Sequence, residues 1–385
     1  MLIIGAPGDN FKPRDERKVL AGIRKHGKTA VDISQRKLAA TRNFGGEARP
    51  AGHLPSETWW TGRWSSCETG KDHIYSLNQS SGGHGIRETM SHRFYIVDVF
   101  AEQPYSGNQL AVVVGEDTLT DETMQKLAAE TNYSETTFVT PEPEADGGYR
   151  VRLFTPAREI AFAGHPILGT AWVLRHHVLP DATGPVKLNL MLGQVPVTFE
   201  VSAEGKEVAW FLAPPVSLGK TCAPERMAAA VGVSPQDIDT RFPVQQFSAG
   251  TSAMIVPLRS LDALRRSKLD LDAFSDLASE GFPSLVYLFC SQTHDPRNDL
   301  CARFFFEAHG VREDPATGNG AAFLGAYLLV HRFFPEPELS VRIEQGYEVR
   351  RPSLVMLRAR MVNGSREVSV GGYVIPAVRG ELVNL

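Results

Sequence analysis

The pattern of apolar and polar positions changes character near residue 90. Before that point no window alternates cleanly or keeps a helical apolar stripe for long. Residues 15–26 (DERKVLAGIRKH) suffice for one short helix, and stretches such as SLNQSSGGHG bury too little apolar area to fold alone. From Phe94 onward the chain reads as alternating strands and helices. FYIVDVF (94–100) and LAVVVG (110–115) are strands joined by the turn-rich AEQPYSGNQ. TDETMQKLAAE (120–130) is a surface helix, with Thr120 as its cap and Asp121 and Glu122 in the first turn. ETTFVT and YRVRLFTP follow as strands. Then comes GHPILGTAWVLRHHVL, apolar almost all round, which places it inside a core.

The second half repeats this grammar. LVYLFCS and LCARFFFE are strands, followed by a glycine turn and GNGAAFLGAYLLVHRFF, again apolar all round. Setting Gly164 against Gly318 aligns Ala171 with Gly325, Trp172 with Ala326 and Leu174 with Leu328, and the strands before them bring Arg152 beside Arg303. The expected fold is α+β with two pseudo-symmetric lobes, each a curled mixed β-sheet or barrel around a central apolar helix. The expected lobes are 90–212 and 213–385, with the last strand free to return to the first.

Two such lobes leave a cleft, with both helix N-termini pointing into it. A helix N-terminus carries free N–H groups and about half a positive charge, and so holds anions. Gly164, Gly318 and Gly320 let backbone approach a ligand closely. With neither GxxxxGK[ST] nor GxGxxG after a strand, a small carboxylate suits these ends better than a nucleotide. Glu135 at a strand mouth, His165 after Gly164, and Asp314 four residues before Gly318 form a candidate proton-transfer set. Metal catalysis finds little support: His176 and His177 adjoin on one helix and cannot face one ion together, and HExxH is absent. A nucleophilic serine would want GxSxG, also absent, and Cys290 and Cys301 read as buried, inert thiols.

Composition narrows the class further. Apolar residues at 42%, charged residues at 22% and a net charge of -4 describe an ordinary globular chain, with neither nucleic acid nor an anionic membrane as a partner. At 385 residues two or more domains are expected. No apolar run reaches the roughly 18 residues of a membrane span, and the opening lacks signal-peptide order. With four cysteines and no CxxC spacing, a cytoplasmic protein with reduced thiols is expected. Residues 1–89 hold 14 basic and 9 acidic side chains, and the remainder 26 and 35, so the two parts differ in sign. Residues 1–89 are therefore expected to be a largely disordered extension upstream of a natural start at Met90. Its tryptophan cluster (Trp59, Trp60, Trp64) is a candidate binding patch, and a functional basic tail is the alternative.

Four stretches together resemble one family: VDVFAEQPYSGNQLAVV (97–113), SETTFV (134–139), RLFTPAREIAFAGHPILGTA (152–171) and EDPATGNGAA (313–322). In this order they are similar to the PhzF-like, phenazine-biosynthesis family, within the wider diaminopimelate epimerase fold. The resemblance runs from about Phe94 to the C-terminus. It implies two lobes, a site in the cleft between them, no metal or organic cofactor, and a homodimer. It also implies that Glu135 moves a proton between substrate carbons, that His165 and Asp314 are further active-site positions, and that the glycine turns hold the substrate carboxylate. The cysteine pair of racemases and epimerases of this fold is not matched. Two departures touch the ligand-facing positions: Gly107-Asn108-Gln109 replaces the family's GNP, and Asn319 stands where serine often follows ATG. With Asn108, Asn319 and the three glycines as substrate-binding candidates, the expected function is a cofactor-independent isomerase of a small, cyclic amino-acid-like carboxylate. The alternatives are a catalytically silent binding protein and a single-base epimerase or dehydratase on the same scaffold.

Overall fold

A computed structural model describes residues 92–115, 119–179, 183–306 and 311–383. The expectations for residues 1–89 and for Met90 lie outside the described residues.

The first half runs β1 (Arg93–Val99), β2 (Asn108–Val114), α1 (Asp121–Thr131), β3 (Glu135–Val139), β4 (Tyr149–Phe154), β5 (Glu159–Ile160), α2 (Gly164–His177), β6 (Val186–Leu190), β7 (Gly193–Val201) and β8 (Glu207–Leu212). The second half opens with β9 (Ser217–Cys222), α3 (Pro224–Ala230), β10 (Val244–Ala249), β11 (Thr251–Pro257), α4 (Leu261–Arg266) and α5 (Leu271–Ser279). It continues through β12 (Val286–Cys290), β13 (Leu300–Phe306), β14 (Val311–Asp314), α6 (Gly318–Val330), β15 (Glu338–Gln345), β16 (Ser353–Val362), β17 (Ser365–Gly372) and β18 (Val374–Glu381). The fold is α+β and dominated by sheet, as the alternating pattern implies.

The pairings repeat from one half to the other. Hydrogen bonding orders the first half β18-β1-β2-β3-β4-β6-β7-β8, with parallel pairs at β2/β3 and β4/β6. The second half runs β9-β10-β11-β12-β13-β15-β16-β17, with parallel pairs at the equivalent β11/β12 and β13/β15. Short β5 and β14 hang on β4 and β13 at equivalent places, and β8 pairs with β17 to join the halves. The last strand, β18, lies antiparallel to β1 in the first half.

Each half curls around its apolar helix. In α2 the residues from Gly164 to Ala171, with Val173 and Leu174, are buried; in α6 burial runs from Gly320 to Leu328 without a break. An all-round apolar helix has no face to offer water, so the sheet must wrap it. Both helices are shorter than the apolar pattern suggests. α2 ends at His177, because Leu179 precedes a proline and residues before proline disfavour helical backbone. α6 ends at Val330 rather than at Phe334: Arg332 turns left-handed (φ 49°), and Phe333 packs back on Phe289 and Phe242, with ring centroids 5.3 and 4.7 Å away.

Candidate functional site

The N-termini of the two central helices meet. A methyl group built on Gly164 would come 2.8 Å from the Cα of Gly318, and one on Gly318 would come 2.9 Å from the Cα of Gly164. Only glycine permits that approach. Neither end is capped by a side chain. The N-cap of α2 is Ala163, and Thr317, the N-cap of α6, turns its hydroxyl to Asp314 Oδ2 instead, at 2.6 Å. By contrast Thr120, Ser260 and Asp270 cap α1, α4 and α5. The orphan N–H groups and positive dipole ends of the two central helices are thus left for an anion. Asn319 is half-buried at the second position of α6, and Gly320 packs under the Tyr287 ring.

Glu135, His165 and Asp314 come together at this junction, all buried. Glu135 opens β3, where the strand emerges from the Tyr133-Ser134 turn. Its Oε2 lies 3.4 Å from Nε2 of His165, and neither atom has a hydrogen-bond partner. Two buried polar atoms facing one another without a hydrogen bond are costly for stability and mark a place kept for chemistry. Burial pushes the Glu135 carboxyl well above its ordinary range, and the nearby Asp314 carboxylate pushes it the same way. Burial likewise pushes Asp314 up to about 6, against the pull of hydrogen bonds from Thr317, Asn108 and Ser134. The His165 imidazole is driven down to about 3 by burial, opposed by a hydrogen bond to the Gln109 backbone, so it is neutral. The arrangement is a carboxyl whose proton affinity is raised by burial beside a neutral imidazole.

Other residues fix the trio. Asn108 Nδ2 donates to Asp314 Oδ1 (2.7 Å) and to the Ala316 carbonyl (2.9 Å), tying β2 of the first half to the turn before α6. Both of its N–H donors are thereby used, so only its carbonyl oxygen is left for a ligand. Ser134 Oγ reaches Asp314 Oδ1 at 3.4 Å. Behind the turn, Gln345 donates to the Asp314 carbonyl (2.8 Å), while its Oε1 accepts from the Thr317 N–H (3.3 Å) and the Tyr287 hydroxyl (3.2 Å). The loop of the Gly107-Asn108-Gln109 departure is held by Arg351, which donates to the carbonyls of Gly107 (2.9 Å) and Ser106 (2.6 Å) and pairs with Asp98 (2.6 Å). Gly107 sits at φ +69°, and a methyl group there would strike the Val99 carbonyl at 2.4 Å.

Ser134 and Thr317 lie inside stretches that the sequence singles out, yet nothing in those stretches marks their polar role. Gln345, Tyr287 and Arg351 carry no motif at all. One further group, His294, Cys301 and Glu344, has ligand atoms close enough to share a metal ion, and it lies outside this cleft.

By sequence and by shape the chain is similar to known proteins. The family model described as "Phenazine biosynthesis-like protein" matches residues 97–380. A trans-2,3-dihydro-3-hydroxyanthranilate isomerase of Pseudomonas aeruginosa is 37% identical over 270 residues, covering 70% of this chain and 90% of the relative. The enzyme of the same name from Pseudomonas fluorescens is 34% identical, covering 76% of this chain and 99% of its own. Among solved structures, a Bacillus anthracis protein of the PhzF family superposes with a TM-score of 0.70 at 26% identity, covering 76% of this chain and 99% of that one. By sequence and by shape the chain belongs to the phenazine biosynthesis-like, or PhzF, family and is an isomerase.

Proposed function

We propose that this isomerase moves a proton between two carbons of a small, cyclic, amino-acid-like carboxylate, with Glu135 as the group that carries the proton. The observation that carries the reading is the buried Glu135–His165 contact beside two uncapped helix ends. The substrate class is taken from the Pseudomonas relatives, whose named substrate bears an amine and a carboxylate on one ring.

The substrate carboxylate sits at the Gly164 and Gly318 helix ends, where backbone N–H groups and both dipoles favour negative charge. Ionised Glu135 takes a proton from a ring carbon, and the electron pair of that C–H bond moves into the neighbouring unsaturation. The protonated carboxyl then gives the proton to a second carbon. Atoms and electrons balance within the substrate and one side chain, so the step needs no redox cofactor. A carboxyl held well above its usual range serves as both base and acid near neutral pH. Neutral His165 steadies the carboxyl as its charge changes. Asp314 retains one free acceptor position on Oδ2, suited to a substrate amine, because Asn108 and Ser134 occupy Oδ1 and Thr317 takes the other place on Oδ2.

The test is carbon–hydrogen exchange in D₂O with trans-2,3-dihydro-3-hydroxyanthranilate and related cyclic amino acids. The wild-type chain is expected to convert a member of this set with solvent deuterium entering at carbon. Glu135→Gln should lower that rate by at least about 10²-fold, the lower end of what a positioned acid or base contributes. Exchange at the wild-type rate in the variant would rule out Glu135 as the carrier.

A further inference from the structure

On the sheet of the second half, β12, β13 and β15 lie side by side. Register sets Cys290 opposite Cys301, and Cys301 opposite Glu344. Residues paired across strands point to the same face, so two thiols and a carboxylate stand in one row. Each of the three is only 1% exposed. The loop after β12 arches over the row and brings His294 to it. The imidazole Nδ1 lies 2.9 Å from Glu344 Oε2 and 3.8 Å from Cys301 Sγ. Tyr347 stacks on the ring at 3.8 Å with planes 1° apart, which fixes its orientation.

We propose that His294, Cys301 and Glu344 form a binding site for one divalent transition-metal ion, zinc by the chemistry of the donors. Thiolate, imidazole and carboxylate together select zinc over the hard cations, which take oxygen ligands alone. The spacing fits. With Zn–N and Zn–O near 2.0 Å and Zn–S near 2.3 Å, tetrahedral geometry sets N···S at about 3.5 Å and N···O at about 3.3 Å. The observed 3.8 and 2.9 Å differ from these by less than about half an ångström in either direction. Water completes the fourth position, and the Cys290 thiol stays on the Gln292 carbonyl at 3.2 Å.

The carboxylate is already oriented as a ligand would be. The N–H groups of His294 and Asp295 and the Asn298 amide donate to Glu344 at 2.7, 2.7 and 2.9 Å, and these bonds can stay when an ion arrives. The ion replaces the contact between Nδ1 and Oε2, the imidazole proton moves to Nε2, and the Cys301 proton leaves to solvent. The His294 side chain, 21% exposed, gives the ion a way in. The next residue along β15, Gln345, points to the opposite face and holds the Asp314–Thr317 turn. An ion on Glu344 therefore braces from behind the strand that fixes the cleft.

The probe is Co²⁺, titrated into the full chain after chelator treatment and thiol reduction. One equivalent is expected to bind, with a thiolate charge-transfer band in the near ultraviolet and the strong visible absorption of a four-coordinate ion, both bleached by Zn²⁺. Cys301→Ser should lose the charge-transfer band. His294→Ala, which changes a loop residue and leaves the strand core intact, should lose one-equivalent binding. A Cys67→Ser/Cys222→Ser double variant, altering two thiols that are not among the proposed ligands, should keep both signals. Saturable binding without the thiolate band in the wild type, no stoichiometric binding at all, or a band that survives in Cys301→Ser while vanishing in the double variant would each overturn the proposal.

Discussion

Glu135 begins a strand whose five residues are all buried, and it is the acidic one among them. Its raised pKa has a consequence for the fold that is separate from chemistry. A carboxyl whose folded-state pKa lies above the unfolded value of about 4.5 stabilises the protein while protonated. That stability is fully present below the unfolded pKa and is lost as pH rises through the folded one. Glutamine keeps the shape and never ionises. The melting temperatures of wild type and Glu135→Gln should therefore lie close together at pH 4, and the variant should gain on the wild type as pH rises to 8. A tenfold change in proton affinity between the folded and unfolded chain corresponds to about 1.4 kcal/mol, and each kcal/mol to about 2 °C in a chain of this size. A gap that stays constant with pH would mean that the fold does not raise the proton affinity of Glu135. At this scale much of the site is legible in the sequence. Glu135, His165 and Asp314 sit at strand and helix mouths; His165 stands out between Gly164 and Pro166 and Asp314 before Pro315, while Glu135 is marked by its place at the start of a strand. Gln345 and Tyr287 do not stand out, because a buried polar residue in a strand looks like any other strand position until its partners are known. Asn108 is legible as a position near the ligand, but its use as a tie between the halves depends on a contact 206 residues away.

Among the secondary elements, the repeat is clearest in two ion pairs. Arg152 on β4 forks onto Glu159 of β5 at 2.7 Å on both arms, and Arg303 on β13 forks onto Glu313 of β14 at 2.9 and 2.7 Å. Each guanidinium also lies over the phenylalanine two residues on, at 5.1 Å from the ring of Phe154 and 4.8 Å from that of Phe305. The pairing of Arg152 with Arg303 that sequence alignment suggests is thus realised in three dimensions. The two differ in burial: both side chains of the first pair are 26% exposed, and both of the second 8%. Arg303 further donates to the carbonyls of Leu264, Arg265 and Ser267, closing the end of α4. Removing one partner of a buried pair costs about 3–5 kcal/mol, whereas exposed pairs contribute about 1 kcal/mol or less. Urea unfolding should accordingly show Arg303→Ala far less stable than Arg152→Ala, by a margin of about 2 kcal/mol or more. Equal losses would show that burial does not govern these forks. The central helices are legible because all-round apolarity has one structural solution. The short β5 and β14 are not, since two to four residues carry no period, and the strands from β6 to β11 have no counterpart among the sequence expectations. β7, most of whose side chains face solvent, carries little apolar signal to read.

For the molecule as a whole, the sheet must end somewhere, and the chain resolves this by sending its last strand back to its first. β18 lies along β1, as β9 lies along β10, so each half is completed by a strand at its outer edge. Side-chain burial does not explain the placement of β18, because beyond Val374 its residues are exposed or only partly buried. Its contribution is to the backbone. β1 contains Tyr95, Val97 and Val99, all buried, and without β18 one whole side of its N–H and C=O groups would be unpaired. β18 is in turn poorly suited to receive another strand. Pro376 has no N–H to offer, and the ladder is irregular where it passes, with Ile96 opposite Val378 and Val97 opposite Pro376. The last strand thus closes an edge with one that resists further pairing. Ending the chain after Tyr373 should therefore do more damage than the apolar area of β18 implies. The truncated protein is expected to be largely insoluble, or to scatter light and bind thioflavin as β1 edges pair between molecules. Replacing Val378, which is 47% exposed, with threonine in the full chain should leave solubility unchanged. A truncated chain that stayed monomeric by sedimentation, with the wild-type melting temperature, would show that the β1 edge is protected by something other than β18.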